Sequence, residues 1–122
     1  MYWSIRIIAT VALTGLLSIK TSPQAWATGP EISVKEQGKT LVFSRQKGNC
    51  LSCHKIDDGE LYGDLGPPLL DLQTRFEDKE TLRVYIWDAT LGKPETTMPP
   101  YGRHRILNDE EINTIVEYIW TL

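Results

Sequence analysis

The sequence has 122 residues, with 13 Lys and Arg against 16 Asp and Glu and a formal net charge of −3. A chain of this size makes one small domain, and its acid excess argues against a nucleic-acid partner, which would need a basic face. Long runs of like charge are absent, so most charges are expected to form a solvated surface.

The N-terminus reads as an export signal. Met1 to Arg6 carries one positive charge, Ile7 to Ile19 is apolar apart from Thr, Gly and Ser, and Ala25-Trp26-Ala27 supplies an A-x-A cleavage pattern. The apolar run is shorter than the ~20 residues that span a bilayer. A secretory signal peptide over residues 1–27 is therefore expected, with a mature domain over 28–122 and no membrane anchor after cleavage. No twin arginine and no cysteine near the cleavage site points to another route or to a lipid anchor. Cleavage removes Arg6 and Lys20 and no acidic residue, which leaves the mature chain more acidic. Gly29-Pro30 marks a short flexible start.

Val34 to Gln46 is the first helical candidate, with Val34, Leu41 and Val42 on its apolar side, a small Gly38 between them, and Gly48-Asn49 to stop it. The most informative stretch follows directly. Cys50-Leu51-Ser52-Cys53-His54 is a C-x-x-C-H, the attachment pattern of a c-type haem. Cysteines three apart on one turn point to the same side, where both sulfurs can bond one macrocycle, and His54 can put an imidazole nitrogen on the iron. A thioredoxin-like motif would sit beside a βαβ pattern, which is not visible here. A structural zinc ion needs four ligands, and the only other histidine is His104. A simple disulfide between Cys50 and Cys53 is the remaining alternative. With an export signal in the same chain, the motif implies the periplasm.

Gly63 to Leu70 reads Gly-Asp-Leu-Gly-Pro-Pro-Leu-Leu. A ligating histidine usually gives its other ring N–H to an acceptor, and a carbonyl near Pro67 is a candidate for the Nδ1–H of His54; a plain tight turn is the equal alternative. Lys79 to Thr90 is the second helical candidate, with Leu82, Tyr85, Ile86 and Ala89 at offsets of three and four and Gly92 and Pro94 closing it. In Thr96-Thr97-Met98-Pro99-Pro100 the residue before proline is pushed to an extended conformation, which places Met98 on a loop. The last helix is capped by Asn108, carries Asp109, Glu110 and Glu111 in its first turn, and has Ile112, Ile115, Val116, Ile119 and Trp120 as one apolar stripe. No alternating strand is evident. The fold class is thus an all-α domain with long loops around one covalent haem, and a domain this small is expected to be poorly folded without its haem.

Once Met1 leaves with the signal, Met98 is the only methionine. It is the expected sixth ligand, because histidine/methionine ligation is a standard cytochrome c arrangement; His104, between Arg103 and Arg105, reads as a surface residue. A neutral thioether favours Fe(II) and raises the potential, and two protein ligands leave no site for oxygen. That pattern argues for electron transfer. Phe76, Trp87 and Tyr101 are candidates to line the pocket or to pack elsewhere, and Arg75, Arg83 or Arg103 could pair with the propionates.

Several of these segments carry a resemblance. Lys47-Gly48-Asn49-Cys50-Leu51-Ser52-Cys53-His54, Gly63-Asp64-Leu65-Gly66-Pro67-Pro68-Leu69, Leu82-Arg83, Pro94-Glu95-Thr96-Thr97-Met98-Pro99 and Ile106-Leu107 before the acidic helix resemble the SoxX family. These are the monohaem cytochrome c subunits of the sulfur-oxidation SoxAX complex. The likeness covers about residues 38–122. It implies a class I cytochrome c-like fold, one covalent haem c on Cys50 and Cys53, and iron ligands His54 and Met98. It also implies a SoxA-like partner that joins thiosulfate to a cysteine of the SoxYZ carrier, releasing two electrons that the SoxX haem passes to a small acceptor cytochrome c. The activity would be that of a heterodimeric L-cysteine S-thiosulfotransferase, to which this chain contributes a haem and no catalytic residue. Two other classes stay open: a free-standing periplasmic electron carrier, and a haem enzyme or sensor with a labile sixth position.

Overall fold

A computed structural model describes residues 32–122. The expected signal peptide over 1–27, and its boundary at residue 28, lie outside the described residues. Among the described residues there are three α-helices, three short 3₁₀ turns and no strand: α1 (Val34–Phe43), a turn at Cys50–Ser52, a turn at Leu72–Thr74, α2 (Lys79–Trp87), a turn at Ala89–Leu91, and α3 (Asp109–Ile119). The all-α expectation holds. No helix among the described residues is long and apolar enough to cross a membrane.

Each helix starts on a side-chain cap. Ser33 accepts from the N–H of Glu36, Asp78 from that of Thr81, and Asn108 from that of Glu111. At α3 the cap is reciprocal, since Glu111 also accepts from the Asn108 N–H, a capping box. Asn108 is thus the cap the sequence suggested.

Two predicted helices end early. The first stops at Phe43 rather than Gln46, because the chain tightens into a turn in which the Gly48 N–H reaches back to the Leu41 carbonyl at 3.1 Å. The second stops at Trp87 rather than Thr90. Asp88 takes an extended conformation (φ −155°, ψ 93°), and its carboxylate caps the following 3₁₀ turn through the N–H and hydroxyl of Thr90.

The core lies where α3 crosses α1 and packs on α2. Ile112, Ile115, Val116 and Ile119 are buried as the stripe predicts, each removing roughly 1.5–3 kcal/mol worth of apolar surface from water. Trp120 is only half-buried and caps the helix, while Tyr118, which lies off the predicted stripe, is buried. Its place is explained by Gly38: a methyl there would lie 2.6 Å from the Tyr118 Cβ and nearer still to the Thr114 carbonyl. Only glycine lets the two helix backbones approach this closely. Val34, counted on the apolar side of α1, is 54% exposed, because the buried face of that helix is Gly38 and Val42.

Candidate haem site

The C-x-x-C-H segment forms a single turn. The Cys53 and His54 N–H groups both bond the Cys50 carbonyl, at 3.2 and 2.9 Å. The turn is entered through Asn49 at φ 48°, a left-handed conformation that asparagine tolerates better than most residues. Three backbone bonds then stitch the glycine- and proline-rich loop onto it: Gly63 N–H to Leu51 O at 2.9 Å, Gly66 N–H to Cys53 O at 2.8 Å, and Leu69 N–H to Lys55 O at 2.9 Å. These bonds carry Pro67 to the imidazole of His54, where the Pro67 carbonyl lies 2.7 Å from Nδ1. A carbonyl only accepts, so Nδ1 carries the proton and Nε2 keeps its lone pair for a metal.

Gly66 is a contact the sequence reading passed over. A Cβ there would fall closest to Cε1 of His54, and 2.5 Å from Nδ1 and 2.8 Å from Nε2, so the imidazole lies against bare backbone. The Gly-Pro-Pro run held the signal, since a glycine beside two prolines often marks a close approach, but the object it approaches is set only by the fold.

Cys50, Cys53, His54 and Met98 line one cavity of about 500 Å³. That size is within the ~300–1,000 Å³ of cofactor pockets. Its walls include Leu72, Leu82, Ile86, Leu107, Ile115 and Ile119, so the core and the pocket share their side chains. Phe76 and Tyr101 also line it. Trp87 does not; its indole packs against Gly102 instead. Of the three arginines considered for the propionates, only Arg75 lines the cavity, with Nη1 on the Pro68 carbonyl at 2.8 Å. Arg83 is engaged with Asp109 and Asn113, and Arg103 with Asp88. His104 sits exposed in the turn after Pro100.

The electrostatics follow from burial. Before haem is attached, loss of water pushes the Cys50 thiol up to about 12, and burial likewise pushes the Tyr101 phenol up. Tyr101 is therefore a neutral donor, and its hydroxyl gives a 2.6 Å hydrogen bond to the Gly48 carbonyl. The Thr90 hydrogen bonds hold the Asp88 carboxyl below the usual carboxylate range, with a smaller contribution from the Arg103 charge.

The residues fit a haem. Two thiols and an imidazole with a free Nε2 come from one turn, a thioether comes from a distant loop, and the space between is walled by aliphatic side chains. Comparison with known proteins agrees. The family profile described as Cytochrome c matches residues 35–122. A curated relative, an uncharacterized lipoprotein of Aquifex aeolicus, is 30% identical over 99 residues, covering 77% of this chain and 48% of the relative. The chain thus spans about half the length of that relative. Among solved structures, a chain of SoxXA from P. pantotrophus is similar with a TM-score of 0.64 and 25% identity, covering 71% of this chain and 80% of that one. The resemblance drawn from the motifs therefore has a structural counterpart. The family match, with the spacing of Cys50, Cys53 and His54, makes a covalent haem c the cofactor.

Proposed function

The chain belongs to the cytochrome c family, and we propose that within it the chain is the haem subunit of a SoxAX-type complex. In this reading it relays electrons released when a partner subunit couples thiosulfate to a cysteine of a SoxYZ-type carrier. Haem supplies a one-electron Fe(II)/Fe(III) couple, which suits a relay that passes electrons singly.

The roles of the residues follow from their chemistry. Cys50 and Cys53 hold the macrocycle through their sulfurs, and His54 offers Nε2 to the iron while Pro67 holds its other nitrogen at 2.7 Å. Met98 offers the sixth ligand. Its thioether and the aliphatic walls favour the less charged ferrous state, which raises the potential. Were His54 and Met98 both to hold the iron, the protein would leave oxygen and peroxide no place to bind.

The observation that carries the reading is the similarity to a chain of SoxXA at a TM-score of 0.64, and the use of the cysteines agrees with it. The chain has two, both line the haem cavity, and no thiol remains for sulfur chemistry. In this reading the reacting cysteine belongs to another chain, as in a two-subunit enzyme. The similarity to SoxXA supports a SoxA-like partner. Export to the periplasm, through the signal peptide expected at 1–27, fits the same reading.

The test is reconstitution with thiosulfate, a SoxA-like subunit, a SoxYZ-type carrier and an acceptor cytochrome c. Acceptor reduction is expected only when this chain is present, and the chain should co-purify with the SoxA-like subunit. Undiminished reduction without it, or a chain that stays monomeric beside the co-expressed subunit, would refute the proposal in favour of a free-standing carrier.

A further inference from the structure

Met98 lies on irregular chain between the 3₁₀ turn at Ala89–Leu91 and α3, and its own N–H bonds only the nearby Thr96 hydroxyl at 3.1 Å. What locates it lies just downstream. Tyr101 follows after Pro99 and Pro100, two residues whose rings lock φ. Its hydroxyl reaches across 53 residues of sequence to the Gly48 carbonyl at 2.6 Å, two residues before Cys50. A stiff spacer therefore joins Met98 to a hydrogen bond on the segment that carries the haem thiols.

A second anchor fixes the far end of the same segment. The Gly102 and Arg103 N–H groups donate to the Trp87 carbonyl at 3.0 and 3.4 Å. Arg103 Nε lies 3.2 Å from Oδ2 of Asp88, whose side chain is 1% exposed and is the buried charged group among the described residues. The other carboxylate oxygen is taken by Thr90. Asp88 thus ends α2 and grips the loop that presents Met98.

We propose that Tyr101, through the Gly48 carbonyl, and Asp88, through Arg103, are positioning residues for Met98 that set how firmly its thioether holds the iron. The proposal rests on Met98 as axial ligand. Without either anchor the loop gains freedom, and the ordering that the iron–sulfur bond requires is no longer supplied by the protein.

Imidazole competes with Met98 for the iron and is the probe, titrated into oxidised haem-loaded protein. Tyr101→Phe, which removes one hydroxyl, and Arg103→Gln, at a half-exposed site, are each expected to bind imidazole about tenfold more tightly than wild type. Tenfold corresponds to about 1.4 kcal/mol, within the range for a lost buried hydrogen bond. Ile112→Val, in the core but away from the cavity, is the control for general destabilisation and should bind imidazole as wild type does. Wild-type affinity in both anchor variants, or an equal gain in the Ile112 control, would overturn the proposal. A missing near-infrared charge-transfer band in wild type, or its survival in Met98→Ala, would instead remove the ligand assignment beneath it.

Discussion

Gly66→Ala tests the geometry around His54. The added Cβ would lie 2.5 Å from Nδ1 and 2.8 Å from Nε2, where carbon contacts normally settle at ~3.5–4.0 Å. The ring's Cε1 would lie closer still, so something must move by more than ~1 Å to restore that spacing. The loop is poorly placed to do so, because Gly66 and Gly63 are tied to Cys53 and Leu51 by backbone bonds of 2.8 and 2.9 Å. The imidazole must yield instead, which stretches the 2.7 Å bond from Nδ1 to Pro67. Overpacking at ~1–3 kcal/mol and the lost hydrogen bond at ~1 kcal/mol together suggest a cost of about 2–4 kcal/mol. No described glycine has positive φ, so the cost contains no backbone strain. Gly92→Ala is the matched control: its Cβ would meet only Tyr85, at 3.5 Å, an ordinary contact. The assay is guanidinium unfolding of the haem-loaded chain followed by circular dichroism. Gly66→Ala should lose stability by the stated amount while Gly92→Ala stays within ~1 kcal/mol of wild type. A Gly66→Ala protein with wild-type midpoint and haem content would refute the close approach of Gly66 and His54.

Three further outcomes are expected. Met98→Ala should abolish the near-infrared charge-transfer band of the oxidised protein and lower the reduction potential, as spectroscopy and potentiometry would record; an unchanged potential would contradict the ligand assignment. Removing haem should abolish the cooperative thermal transition, because Leu72, Leu82, Ile86, Leu107, Ile115 and Ile119 serve both the core and the cavity wall; a native-like melt of haem-free protein would contradict this. The hydrogen bond from Lys47, followed by the Asn108 N–H, holds the Glu111 carboxyl below the ordinary range. The folded state then binds fewer protons than the unfolded one, so this stability is present above the unfolded value of ~4.3 and is lost as pH falls through the lower folded value. Glu111→Gln should flatten the acid limb of a stability–pH curve, and an unaltered limb would show that the pair contributes nothing.

Sequence alone determined the features that short-range chemistry dictates. Cys50, Cys53 and His54 are adjacent, so their joint use of one haem follows from spacing, and the capped stripe of α3 follows from a 3.6-residue period. Met98 stood out as the proposed ligand because it is the only methionine after residue 27 and stands before proline, and the fold puts it on the cavity wall. Tertiary structure decided what depends on distant segments meeting. The early ends of α1 and α2 come from Gly48 reaching Leu41 and from the Asp88 carboxylate preferring Thr90 and Arg103. Tyr118 is buried off its helix stripe because Gly38 admits it. Gly66 under the imidazole and Tyr101 on Gly48 join residues that no local pattern relates. A motif can state which atoms will bond the iron; how firmly they are held is fixed by contacts between chain segments whose separation in sequence carries no periodic signal.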